Sequence, residues 1–187
     1  MKSRTTDVLR TVHLLALALW GGGAAFFSFL TTPRIFGFLR DSLPAAPPPG
    51  VEGITADVGR RLAGDTVGAI FPTYFAAQII AGLLAVASGW LLARAGSRVA
   101  KVRFLLAAAA LVFVTVHAFT VYPRSTRVLN EHYRAADAGD EPRAAELRQT
   151  FGILHSVSQT INLATILLVV SALGLAGLSC TSRSEAG

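Results

Sequence analysis

The sequence holds one cysteine, Cys180, and one methionine, Met1. A lone thiol excludes an intramolecular disulfide and any cluster of thiolates. The same scarcity denies soft metals the thiolate and thioether ligands that would select them. Charge is sparse as well: Asp, Glu, Lys and Arg make up 15% of the 187 residues, where a soluble domain carries about 25%. Absent too are a phosphate-cradling glycine loop, a zinc-ligand spacing and a nucleophile elbow. The run Gly21, Gly22, Gly23 lies inside an apolar stretch and matches no nucleotide motif.

What the sequence does have is apolar length. Hydrophobic residues make up 52% of it and its mean hydropathy is +0.53, which implies an integral membrane protein. The net charge of +6 does not point to nucleic acid. Its basic residues are scattered over segment ends with no aromatic-interleaved patch, as flanks of membrane spans are. The expected architecture is an all-α four-helix membrane bundle, a single domain over 1–187, with spans at about 8–32, 72–93, 103–122 and 151–178. Amphipathic interfacial segments join them. The basic start and the small residues after it mimic a secretory signal, but the apolar run continues through Phe26, Phe27, Phe29 and Leu30, so a retained first span is expected.

Proline punctuates this plan. Thr31, Thr32 and Pro33 are expected to end the first span, and Pro123 to follow the end of the third. DSLPAAPPPGVEG, at 41–53, reads as a surface loop, and 54–70 as an interfacial helix. Pro72 suits the first turn of the second span. A break is expected at Ala138, Gly139 and Asp140, with Pro142 opening a helix that runs into the fourth span.

One stretch concentrates polar side chains at membrane depth: FGILHSVSQTINL, at 151–163. At about 100° per residue, His155, Gln159 and Asn162 share a narrow stripe with Ser158 beside it. Such groups are costly facing lipid and turn toward other helices or a wet cavity. Alternation of the spans brings His117, Tyr74, Gln78, Arg34 and Arg124 into the same half, here called outer, opposite the N-terminus. The candidate ligand-binding set is therefore His117, His155, Gln159, Asn162, Gln78, Tyr74 and Arg124. Interhelical hydrogen bonding and ligand binding both explain the stripe. No catalytic residue and no metal set is evident. His13 begins the first span at the opposite face, packed beside Trp20, too far to share a cofactor with the stripe. No cofactor is expected, although the geometry leaves room for a haem b held by His117 and His155 alone.

Basic residues are nearly equal in number on the two sides. The dense link carrying Arg94, Arg98, Lys101 and Arg103 favours both termini in the cytoplasm, in a bacterial inner membrane. Gly21 to Gly23, or Ala85 with Gly89, could pack between protomers of a homo-oligomer. Lipid, a small-molecule ligand and a second copy are the expected partners, and nucleic acid is not.

VHLLALALWGGGAAFFSFL, IFPTYFAAQ, FTVYPRSTRVL and LRQTFGILHSVSQTINL together resemble the transmembrane protein 205-like group. That group is a four-helix membrane family of unknown activity whose human relative is associated with cisplatin tolerance and vesicle trafficking. The resemblance implies signature positions at His13, Pro72, Tyr74, Pro123, Arg124, His155, Ser158 and Asn162. The convergence of polar residues on one half, with no nucleophile or metal set, makes the expected function non-enzymatic: binding a small ligand or partner through that half, in transport or stress tolerance. More weakly, the first helix with Pro33 and Arg34 is similar to the membrane protoporphyrinogen oxidase family and the copper-resistance D-type domain. The oxidase pairs its first-helix histidine with a second-helix lysine, and this sequence has no lysine there. Haem- or porphyrin-linked redox chemistry is the alternative function.

Overall fold

A computed structural model describes residues 2–41, 56–94 and 98–184. The proline-rich loop expected at 41–53 lies outside them, apart from Asp41. The described elements are α1 (Lys2–Phe26), a π-helical turn (Phe27–Thr31), α2 (Thr32–Asp41), α3 (Ala56–Arg94), α4 (Arg98–Val116), a second π turn (His117–Val121), α5 (Tyr122–Asp137) and α6 (Glu141–Ser184). α1 runs on through its π turn into α2, and α4 likewise into α5. The result is four helical rods, each apolar over a length sufficient to cross a membrane.

The rods form a ring in which α1 and α4 each pack between α3 and α6. At the outer end α2 continues along α3, and α5 along α6. Trp20, Leu17, His13, Val169 and Thr165 fill the centre, against the small side chains Ala85, Ala107, Ala110 and Ala172. Small residues are what a membrane bundle needs here, because lipid supplies no hydrophobic drive and close packing must hold the helices together. Gly82 shows how close the approach is. A Cβ there would lie 2.8 Å from Leu111 Cδ1 and 2.9 Å from Trp20 Cη2. Of the glycine run only Gly21 is pressed, its Cβ position 3.1 Å from Val169 Cγ1, while Gly22 and Gly23 meet nothing within 4 Å. Ala85 and Gly89 serve α1 of the same chain: His13 Nδ1–H donates to Ala85 O at 3.0 Å and to Ser88 Oγ at 3.1 Å, and its ring lies over Gly89.

Three prolines do not mark helix boundaries where the sequence suggests. Pro72 lies inside the single 39-residue α3, so the expected interfacial helix and the second span are one rod. Pro33 and Pro123 each come two residues after a π turn and are passed without a break. A proline ring clashes with the carbonyl four residues earlier and leaves it without a donor. One inserted residue widens the turn and changes the pairing: Thr32 N–H bonds to Phe27 O, and Tyr122 N–H to His117 O. The two turns carry the same sequence device, Phe29 four residues before Pro33-Arg34 and Phe119 four before Pro123-Arg124. The expected break does occur. α5 ends at Asp137, Gly139 takes φ 75°, and α6 starts at Glu141.

Candidate functional site

Both π turns face the same place. Between the four rods, in the outer half, is a cavity of about 230 Å³ lined by all of them. Its α1–α2 wall is Phe27, Ser28, Thr32 and Phe36, and its α3 wall is Gly64, Val67, Gly68, Phe71 and Tyr74. His117, Tyr122, Ser125, Thr126 and Leu129 form the third wall, and Phe151, His155, Ser158, Gln159 and Asn162 the fourth. No charged side chain belongs to this lining. A π turn re-aims the residues it carries, and here it brings Phe27 and His117 to the inner end of the cavity.

The deep wall is hydrogen-bonded throughout. Tyr74 Oη–H donates to Asn162 Oδ1 at 3.1 Å, Asn162 Nδ2 donates to Ser28 Oγ at 2.8 Å, and Ser28 donates to Ala24 O at 2.8 Å. His117 Nε2 and Ser158 Oγ pair at 2.6 Å, with Phe75 edge-on to the imidazole at 4.9 Å. Phe27 stacks on Tyr74 with ring centres 4.3 Å apart. Tyr122 Oη–H donates to Gly68 O at 2.9 Å, linking the third rod to the second. Ser125 is the exception, its buried Oγ having no hydrogen-bond partner. Among the lining groups it is the buried polar atom left without a partner, and so the one most in need of one.

Five of the seven expected residues come together here: His117, His155, Gln159, Asn162 and Tyr74 line the cavity. Gln78 does not. It lies one helical turn deeper on the face of Tyr74, about 6 Å along the axis, and its Oε1 accepts from Trp20 Nε1 at 3.2 Å. Trp20 reaches across from α1 at that depth. Arg124 and Arg34 are exposed at the outer ends of their rods and take no part in the lining. His117 pairs with Ser158, and His13 bonds to α3 in the opposite half. Among the described residues no group of three His, Cys, Asp or Glu is placed to hold a metal ion.

The sequence reading missed Ser28, Ser125, Thr126, Gly64 and Gly68. Ser28 had a signal, being with His13 one of two polar interruptions between Val12 and Leu30. The two glycines had none, since on a segment taken as interfacial they read only as weak helix.

Compared with known families, residues 15–134 match the model of a domain of unknown function, DUF4149. The chain belongs to this family. The match covers both π turns and three of the four cavity walls, and ends before α6 with its polar stripe. No curated protein and no solved structure matches the chain. Membership in DUF4149 brings no assigned activity, so function has to be argued from the cavity itself.

Proposed function

We propose that this DUF4149 protein binds a small, uncharged molecule in the outer cavity. The supporting observation is the lining: aromatic and aliphatic walls, a few convergent hydroxyl, imidazole and amide groups, and no formal charge. That is the usual make-up of a small-molecule site, and a charged ligand would have no counter-ion there. A volume near 230 Å³ falls below the roughly 300–1,000 Å³ of drug-sized sites, which favours a compact ligand of one or two rings. It weighs against a porphyrin, as does the engagement of His117 Nε2 by Ser158.

The resemblance to the transmembrane protein 205-like group supports a role in tolerance of small toxic compounds, by holding them or passing them across the membrane. The dense basic link between α3 and α4 supports cytoplasmic termini, and in a bacterial inner membrane the cavity then faces the periplasm.

A neutral bicyclic phenol, 2-naphthol, tests the reading. In native mass spectrometry of the intact protein released from lipid nanodiscs, 2-naphthol is expected to give a saturable one-to-one adduct, and 2-naphthalenesulfonate, its charged analogue, none. Equal adducts from both, or from neither, would remove the proposal.

A further inference from the structure

The outer half has two seams between its helix pairs, and they differ. On one side α3 is tied to α5: Arg61 Nη1 donates to Asp137 Oδ1 at 3.1 Å, the Arg61 guanidinium lies 4.4 Å over the Tyr133 ring, and Tyr122 bonds to Gly68 O. On the other side, α2 and α6 both line the cavity without packing closely on each other. The last bond there, moving outward from the membrane centre, is Asn162 to Ser28. Beyond it, among the described residues, no hydrogen bond or ion pair joins Thr32–Asp41 to α6. Phe36 of α2 and His155 and Gln159 of α6 line the cavity at this seam, and all three are exposed.

Depth decides what the exposure means. α6 runs antiparallel to α4, and Ser158 bonds to His117, seven residues before Arg124. At 1.5 Å per residue His117 and Ser158 lie about 10 Å below the level of Arg124, so His155 lies about 6 Å below it and Gln159 about 12 Å. An imidazole and a carboxamide at the cavity are therefore exposed at the depth of the outer leaflet, where polar groups facing hydrocarbon are costly. They partly satisfy each other. Gln159 Nε2 donates to His155 Nε2 at 3.1 Å, so the imidazole proton sits on Nδ1. That leaves one N–H donor and the Gln159 carbonyl as acceptor, side by side at the edge of the cavity.

We infer that the cavity is entered sideways, through the seam between α2 and α6, by an uncharged molecule dissolved in the outer leaflet. Its hydrogen-bonding group passes the His155–Gln159 pair before reaching Ser158, His117 and Ser125. This rests on the proposed binding role, and it adds the route and the ligand class: a lipid-soluble molecule with an apolar body and a hydroxyl, carbonyl or amide head. The sealed seam between α3 and α5 makes the path one-sided.

Cysteine accessibility tests the route. In a Cys180→Ala background, His155→Cys, Gln159→Cys and Phe36→Cys are reconstituted into phosphatidylcholine vesicles, with Arg124→Cys as the water-facing control. N-pyrenylmaleimide, uncharged and lipid-soluble, is expected to label all four. A cationic, membrane-impermeant methanethiosulfonate is expected to modify the three seam positions at least about tenfold more slowly than Arg124→Cys, since hydrocarbon excludes the cation. Brominated lipid should quench pyrene at the seam positions. Cationic labelling at the Arg124→Cys rate would make this an aqueous mouth and overturn the inference. Spontaneous disulfide-linked dimers through residue 155 or 36 would overturn it too, by putting a second copy over the seam. Phe36→Cys leaves the polar pair untouched, so the comparison survives if replacing His155 disturbs folding. If labelling follows expectation and 2-naphthol does not bind, the binding reading fails while the lateral opening stands.

Discussion

Gly82→Leu is expected to destabilise the bundle by about 3 kcal/mol, the upper end of the range for overpacking a well-filled core. The Cβ alone would stand 2.8 Å from Leu111 Cδ1 and 2.9 Å from Trp20 Cη2, before the rest of the leucine is accommodated. Leu111 can yield at its flexible end, but Trp20 cannot easily do so. It is 1% exposed, and its indole N–H is committed to Gln78, so a shift of the ring costs packing and a buried hydrogen bond together. Unfolding in a graded series of lipid–detergent mixtures, followed by circular dichroism, measures the effect. Gly22→Leu is the control, since nothing lies within 4 Å of its Cβ position, and it should change stability by less than about 0.5 kcal/mol. Equal losses at the two positions would mean that helix packing around Trp20 does not hold the fold.

Asn162→Leu is expected to cost about 1–2 kcal/mol, through the two hydrogen bonds its amide makes. The estimate is modest because interhelical bonds in membrane bundles average only about 0.6 kcal/mol, partners being available in the unfolded state as well. Asn162 accepts from Tyr74 and donates to Ser28, so its loss strands groups on two other rods. A double-mutant cycle gives the sharper test. Tyr74→Phe and Asn162→Leu combined should cost less than the sum of the singles, by about 0.5–1 kcal/mol. Strict additivity would show that the Tyr74–Asn162 bond contributes nothing to holding α3 against α6.

The fold was legible in the sequence because apolar length and the scarcity of charge determine a membrane bundle almost alone. The break at Gly139 was also readable, since a residue with positive φ, set between two amphipathic stretches, has few alternatives to glycine. The polar stripe of α6 gave the right face. Angular spacing of His155, Gln159 and Asn162 is a property of one helix, and alternation of spans then gave the right half of the bundle for His117 and Tyr74.

Depth and neighbours were less legible. Gln78 shares its face with Tyr74, as the spacing required, yet Trp20 takes it, and no pattern within α3 reports what α1 presents at that level. The prolines misled for a related reason. Pro33 and Pro123 end a simple α-helix in water, but in a rod supported on both sides one inserted residue re-satisfies the backbone and the helix continues. Those two π turns carry Phe27 and His117 to the cavity, so the feature least visible in the sequence helps build the site. Gly64 and Gly68 were passed over because a glycine that leaves space for something else looks the same as one that merely weakens a helix.

That space is where the functional reading can be tested most simply. Gly68 lines the cavity, its Cβ position has nothing within 4 Å, and leucine is favoured over glycine in a helix. Gly68→Leu should therefore fill the cavity while leaving stability unchanged or slightly raised. Titration of 2-naphthol into wild-type and Gly68→Leu protein in nanodiscs, read as the one-to-one adduct by native mass spectrometry, separates the outcomes. Saturable binding to wild type and at least about a tenfold loss in the variant, a difference of 1.4 kcal/mol or more, is the expected result. Undiminished binding to a folded Gly68→Leu protein would show that the ligand does not occupy this cavity.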